Sequence, residues 1–540
     1  MFLCASCVHQ GGQSAGTVDS LSLTVTKRYL NLPVSQQVER SEMQFLLNGK
    51  TERTFAIRLA ANPEYWTFCD ISPFMGQTLT IRYSDNAGGL REIYQGDTIN
   101  GQSGLYRERH RPQFHFTTRR GWNNDPNGLV YYDGEYHLFY QHNPYEREWE
   151  NMHWGHAVSR DLVHWEELPV ALYPDTLGMM FSGSAVVDFD NTSGFGATGQ
   201  PPMVAAYTAA SPAGQVQCIA YSLDKGRTWA KYSGNPVIDS GSEWNTHDTR
   251  DPKVFRHAAS GQWVMVLNEC DGHSIYTSPN LLRWTYRSHV TGFWECPDLF
   301  ELPVNNNPVD TRWVLYGASA SYMIGAFDGN TFTPQQGKYC YTSGALYAAQ
   351  TLNDTPDGRR IQIGWGRIQQ PGMPFNMMML LPTELTLSTT PNGIRLFSYP
   401  VKEVDNLQEE GIQRRLLSVE AANELLKSYP NAGSLRIKTT FQLSHATSAG
   451  LKLDGQDIIN YDLNFNRLNG NFYSPPEMTS MALTADILID LTSIEVFIDG
   501  GAFSYAMERT PLNTTGFRFW SSHPIEVKNL EIYPMKSIWK

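Results

Sequence analysis

The chain is short of basic charge. Across 540 residues, 42 Lys and Arg stand against 54 Asp and Glu, a net charge of −12 with the two signs interspersed. That leaves no electrostatic footprint for nucleic acid or for an anionic lipid surface. Long apolar runs are also missing. The nearest candidate, Met377 to Leu381, is far shorter than the ~18 residues of a transmembrane helix, so no transmembrane span is expected. The seven cysteines are odd in number, and only Cys4 and Cys7 have C-x-x-C spacing. Neither a disulfide framework nor a structural zinc site is indicated.

What the chain has is length, glycine and aromatic rings: 44 Gly, 27 Tyr, 25 Phe and 14 Trp. The length suits about three domains. Rings in such number serve a β-sheet core first and sugar-binding clefts second. The first residues, Met1 to Cys7, resemble the end of a bacterial lipoprotein signal, with Cys7 as a candidate lipid anchor and the rest of residues 1–18 as a tether. A misplaced start or a cloning remnant reads equally well there. The lipoprotein reading implies an extracytoplasmic protein, periplasmic or at the cell surface.

Short strands separated by turns such as Asn48-Gly49 make residues 19–105 a small N-terminal β-sandwich, supporting or sugar-binding. Residues 106–390 carry a repeat. Ser159-Arg-Asp-Leu-Val-His-Trp165, Ser222-Leu-Asp-Lys-Gly-Arg-Thr-Trp229 and Ser278-Pro-Asn-Leu-Leu-Arg-Trp284 are three copies of one turn, each preceded by strand-forming segments. Meanders of strands at this repeat length, with almost no helical periodicity, predict a five-bladed β-propeller. Residues 391–420 read as a linker, helical and amphipathic over 401–417. Residues 421–540 return to strands and close the chain as a C-terminal β-sandwich. The fold class expected is all-β.

The chemistry concentrates in acids held beside prolines at strand heads. Asp125 lies in Trp122-Asn-Asn-Asp-Pro-Asn-Gly128, Asp251 in Arg250-Asp-Pro252, and Glu295 and Asp298 in Glu295-Cys-Pro-Asp298. In a propeller the first strand of each blade lines the central channel, so Asp125, Ser182, Asp251 and Asp298 would converge at one end of it. Amides around Asp125 favour its ionised form, suiting a nucleophile; Phe293 and Trp294 beside Glu295 favour a protonated carboxyl, suiting a general acid. Arg250 supplies a counter-charge for Asp251. Such a pair of unlike carboxylates is what glycoside hydrolysis requires. His153-x-x-His156 has no third ligand nearby, so no metal or cofactor is expected.

Asn124-Asp-Pro-Asn-Gly128, Phe181-Ser-Gly-Ser184, Arg250-Asp-Pro252 and Glu295-Cys-Pro297 together resemble glycoside hydrolase family 32, the invertase, levanase and inulinase family. Asn151-Met-His-Trp-Gly-His-Ala157 and Ser493-Ile-Glu-Val-Phe497 match it too, and the likeness spans about residues 111 to 540. It implies a five-bladed propeller with a C-terminal sandwich, and retaining hydrolysis of β-fructosides. Asp125 then matches the nucleophile, Asp251 the transition-state stabiliser and Glu295 the acid/base. Asn124, Gln141, Trp149, Phe181, Ser182, Arg250, Cys296 and Trp365 would line the pocket for a terminal fructose, the substrate partner being fructan or a fructo-oligosaccharide. Glu150 and the Met373 to Thr383 segment depart from the family's usual pattern, which leaves β-2,6 against β-2,1 linkage open. Exo-action on levan or inulin, with sucrose as a further substrate, is the reading preferred. The alternatives are an endo-levanase, an inverting arabinofuranosidase or xylosidase, and a non-catalytic fructan-binding protein.

Overall fold

A computed structural model describes residues 19–84, 88–197, 199–239, 246, 248–429, 433–443, 446–473, 481–509 and 516–539. Cys7 and the tether lie outside the described residues. The fold is all-β: the described residues hold one α-helix, Val419–Leu426, among some forty strands. The chain divides into two compact units, residues 1–103 with 144–146, and residues 104–143 with 147–540.

In the first unit, Asp19–Thr24, Thr78–Tyr83, Ser41–Leu47 and Lys50–Ile57 form one antiparallel sheet; Tyr65–Asp70, Tyr29–Val34 and Tyr94–Gly96 form a second. Inward alternation is clear on Tyr65–Asp70, where Tyr65, Thr67 and Cys69 are buried. Tyr29–Val34 is buried almost throughout and shows no alternation, which hid it from a period-two reading.

The second unit begins with three separate antiparallel sheets. Gly121–Tyr132, Glu135–Asn143, His153–Ser159 and Trp165–Glu167 make the first, with Phe375–Asn376 added in parallel at Gly121. Met179–Val187, Met203–Ser211, Gly214–Ser222 and Ala230–Lys231 make the second; Thr249–His257, Gln262–Glu269, Gly272–Ser278 and Thr285–Thr291 make the third. The next two meanders are not separate. The one starting at Asp298–Val304 joins the strands from Leu346 to Pro400 in one nine-stranded sheet, through a single parallel pairing of Val304 with Leu387.

The turn between third and fourth strands is the repeat seen in the sequence, and its hydrogen bonds show why it recurs. Asp161 Oδ1 accepts from the Ser159 hydroxyl at 3.1 Å and from the His164 amide at 2.8 Å, while the Trp165 indole donates to Leu162 O at 2.9 Å. Asp224 with Trp229, and Asn280 with Trp284, repeat the arrangement. A fourth copy lacks the serine and the tryptophan: Asp328 Oδ1 accepts from the amides of Asn330 and Thr331, both at 2.8 Å, and Phe332 takes the ring position.

The amphipathic helix expected over 401–417 is not formed. Lys402–Leu407 is a short 3-10 helix that buries Val404 and Leu407, and Ile412–Ser418 is an edge strand paired with Glu526–Pro534. The α-helix starts only after Ser418, whose hydroxyl caps it by accepting from the Ala421 amide. Two further sheets, of seven and five strands, pack around Ile437, Leu451, Ile487, Val496 and Phe519.

His115 ties the start of the first sheet to this C-terminal part. It is fully buried, with Nδ1 at 2.8 Å from Asp490 and Nε2 at 2.6 Å from Glu495. Burial alone would lower its pKa, but the two carboxylates outweigh that and raise it to about 9. The folded-state value exceeds the unfolded one, so the stabilisation is fully present below about pH 6.5 and is lost as pH rises through about 9. The melting temperature should therefore fall across this window, and His115→Gln should flatten the fall. An equal slope in both proteins would remove His115 as its cause.

Candidate active site

The first strands of four meanders in the second unit share one irregularity. Pairing slips between Asn123 and Pro126 in Gly121–Tyr132, between Met180 and Gly183 in Met179–Val187, between Arg250 and Lys253 in Thr249–His257, and between Tyr347 and Gln350 in Leu346–Thr351. Each β-bulge frees a residue from the ladder and re-aims its side chain. The residues so freed or flanking are Asp125, Ser182, Asp251 and Tyr347. At Gly183 the neighbouring strand is so close that a Cβ would lie 2.0 Å from Ala206 O, so only glycine fits beside Ser182.

These side chains meet. Asp125 Oδ2 accepts from the Ser182 hydroxyl at 2.7 Å, and its Oδ1 accepts from the Asn124 amide at 3.1 Å. The Cys296 thiol stands 3.5 Å from both Asp125 Oδ2 and Asp251 Oδ2, and the Cys296 amide donates to Asp251 at 3.0 Å. Glu295 completes the group: Arg250 Nη2 donates to its Oε1 at 2.7 Å and the Tyr347 hydroxyl to its Oε2 at 2.5 Å. Asp251, Glu295 and Cys296 have φ of 65°, 51° and 41°, left-handed conformations uncommon for side-chain-bearing residues. Thr208 Oγ1 accepts the Asp251 amide at 3.0 Å and Asn268 Oδ1 the Glu295 amide at 2.8 Å, holding that backbone in place.

Two electrostatic expectations are corrected. The amides around Asp125 do not set its pKa. Burial raises it above the ordinary carboxylate range, and the hydrogen bonds from Ser182 and Asn124 offset only part of the rise. Nor does Glu295 face an apolar bracket. Its carboxylate meets Arg250 and Tyr347, while the Trp294 ring is exposed and carries the Arg250 guanidinium 5.1 Å from its centroid. Asp251 is pushed up to about 7 by burial, against the pull of Arg250 and with help from Glu295 and Asp125.

Asp298 does not join the group. Its strand keeps regular register at that end, with Asp298 opposite Tyr316, and the buried carboxylate turns to Lys253 Nζ at 3.2 Å and the Thr351 amide at 2.7 Å. Gln141 is buried, and its amide donates to Met180 O at 2.8 Å, bracing the bulge before Ser182. Phe181 and Trp365 pack with Trp122, Met152 and Met377 as one apolar wall; Trp149 stands exposed, edge-on to Phe181 at 6.0 Å. The Trp365 indole nitrogen is buried and has no hydrogen-bond partner among the described residues. Met377 brings the unusual Met373 to Thr383 segment into this wall. Tyr347, Thr208 and Asn268 were missed, because none sits in a motif with proline or glycine punctuation.

The family profile described as glycosyl hydrolases family 32, N-terminal domain, matches residues 115–400. A levanase of Bacillus subtilis (strain 168) is 40% identical over 490 residues, covering 81% of this chain and 72% of that protein. The chain belongs to glycosyl hydrolase family 32. An extracellular exo-inulinase of Aspergillus niger is 34% identical over 489 residues, 76% of this chain and 91% of that protein. The crystal structure of an exo-inulinase from Aspergillus awamori superposes with a TM-score of 0.70 at 30% identity, covering 80% of this chain and all of that one. Family membership makes the chain a glycosidase and agrees with the carboxylate pattern.

Tyr347 gives a direct test of the site's geometry. Tyr347→Phe deletes one hydrogen bond to Glu295 and should lower kcat about tenfold with little change in KM. A change confined to KM would place Tyr347 in substrate binding instead.

Proposed function

We propose that the chain is a retaining, exo-acting β-fructosidase that removes fructose from the non-reducing end of fructans. The observation that carries this reading is two carboxylates in unlike settings around one pocket. Asp125 is half-buried among hydroxyl, amide and thiol donors, and Glu295, also half-buried, is paired with a cation and a phenol. In this scheme Asp125 attacks C2 of the fructosyl unit while Glu295 protonates the departing oxygen; Glu295 then activates the water that releases the sugar. Asp251 stands beside both and acts on the charge of the oxocarbenium-like transition state. Asn124, Ser182, Arg250 and Cys296 hold the three acids, and Trp149, Phe181 and Trp365 shape the wall.

Exo-action is supported by what lies beneath the acids. Ser184 bonds both Pro252 O and the Val254 amide, Gln350 donates to Gly183 O, and Asn353 donates to Ala185 O and Val254 O, every one of them buried. With the Lys253–Asp298 pair they fill the space between the innermost strands, so the acids stand over a closed floor, a form that suits a terminal fructosyl unit. The meanders support closure as a five-bladed propeller, the last two blades sharing an edge, with catalytic residues 106–390 followed by a linker and a sandwich over 421–540. The relation to an extracellular exo-inulinase and a levanase supports fructan as substrate and a place outside the cytoplasm.

Asp125→Ala should lower kcat by several orders of magnitude, on the scale of a lost nucleophile, while sugar binding persists. In the wild type, thin-layer or anion-exchange profiling of levan and inulin digests should show fructose alone from the first time points. A ladder of oligosaccharides would overturn exo-action, and substantial hydrolysis by Asp125→Ala would overturn the nucleophile.

The acid limb of kcat/KM should lie above the ordinary carboxylate range, because a raised Asp125 must still ionise to attack. The Ser182 hydroxyl favours the ionised form, so Ser182→Ala should move that limb to higher pH. A limb that moves down or stays put would exclude Asp125 as the group it reports.

A further inference from the structure

The innermost strands have two ends, and the second end also carries a cavity. Val186 and Val187, Phe255 to His257, and Phe300 and Glu301 lie on the same strands as Ser182, Asp251 and Asp298, but beyond the buried plug of Asn353 and Lys253. They open into a cavity of about 510 Å³, well within the range of small-molecule sites. None of the acids proposed to react reaches it.

Its lining is mixed. Phe189 is 63% exposed at the mouth. The Trp313 ring stands between Phe255 and Phe327, with centroids at 5.8 and 5.0 Å. Arg256 lies over the Trp263 ring at 5.1 Å and pairs with exposed Asp190 at 3.6 Å. Arg360 lies over Phe300 at 5.3 Å, and among the described residues it makes one hydrogen bond, to Leu352 O at 3.3 Å. Five N–H donors with one weak acceptor leave most of that guanidinium available to a ligand. Burial lowers the pKa of His257, so the ring is neutral at neutral pH, with Nδ1 against the Ser260 hydroxyl at 2.8 Å.

This chemistry selects a class of ligand. Asp190, Glu301 and Asp354 line the cavity beside the two arginines, so neither an anion nor a cation finds a site of one sign. A purely apolar ligand would strip water from all five charges without replacing it. A neutral polyol fits: guanidinium and carboxylate groups bridge vicinal hydroxyls, and ring faces take the C–H side of a sugar.

We propose that this cavity is a second, non-catalytic binding site for fructan, taking a fructosyl segment of the same polymer that the active site trims. The proposal rests on the fructan reading above. A second site on a long substrate raises the local concentration of chain ends, so it matters for polymer and not for a trisaccharide.

The test uses Phe189→Ala and Arg256→Ala, both exposed enough to substitute without opening the core. Each is made in the active enzyme and in an Asp125→Asn background that cannot digest the matrix. In the active enzyme, KM for levan or inulin should rise about three- to tenfold, the scale of one lost aromatic or charged contact, with kestose kinetics and melting temperature unchanged. In affinity gels containing levan or inulin, with dextran as control, the Asp125→Asn protein should be retarded more than its double variants. Equal retardation together with unchanged KM on polymer would overturn the second site and mark a cavity filled only by water. A wild type that releases no fructose from any fructan would instead overturn the reading on which the proposal rests.

Discussion

Arg250 is the cation on which the arrangement of acids depends. Asp125, Asp251 and Glu295 crowd one pocket, and the charge of Glu295 raises the cost of ionising both aspartates. Arg250 touches Glu295 at 2.7 Å and lies 3.8 Å from Asp251, while a second face rests on Trp294. A planar fork is suited to this because it reaches two carboxylates at once and still stacks on a ring. Burial nevertheless wins at Asp251, whose pKa climbs to about 7, and at Asp125, whose pKa rises despite three donors. The carboxylates therefore share one cation and a few hydroxyls in a setting where burial disfavours charge on both aspartates.

The backbone prepares for this. An unbroken ladder would point alternate side chains along each innermost strand into the neighbouring sheets. Four bulges at matched positions break the ladder just where Asp125, Ser182, Asp251 and Tyr347 must turn inward. The strand without a bulge at that end sends Asp298 to Lys253 instead. Register, more than residue type, separates the acid that pairs with a buried lysine from the acids that reach the pocket.

Much of the site is legible in the sequence, and the rest is hidden for definite reasons. Proline and glycine punctuate Asn124-Asp-Pro-Asn-Gly128 and Arg250-Asp-Pro252 because a bulge needs unusual backbone, so the acids announce themselves locally. The three copies of the Ser-x-acid or amide-turn-Trp unit are readable because their hydrogen bonds stay within seven or eight residues. The fourth is not, since Phe327 and Phe332 keep the backbone pattern without the polar signature. Tyr347, Thr208 and Asn268 reach the acids across sheets, and nothing in their own neighbourhood marks them. The direction of the Asp125 shift failed for the same cause: of its hydrogen bonds only the one from Asn124 is local, and the burial that outweighs them comes from distant strands. The helix expected over 401–417 failed because Ile412–Ser418 finds an edge to pair with, and tertiary pairing overrides local propensity.

The innermost strands thus have three zones, and the order of the zones has a physical logic. At one end the bulges break pairing, and Asp251 in one bulge and Glu295 and Cys296 in the loop before Asp298 keep strained φ angles, which costs stability. In the middle, Ser184, Asn353 and the Lys253–Asp298 pair cross-link separate sheets through buried contacts. Strain at the first end persists only because the middle cannot yield to it. A plug that rigid also closes the floor beneath the acids. The far end is then insulated from the chemistry, and its aromatic and charged side chains are available for another task on the same polymer.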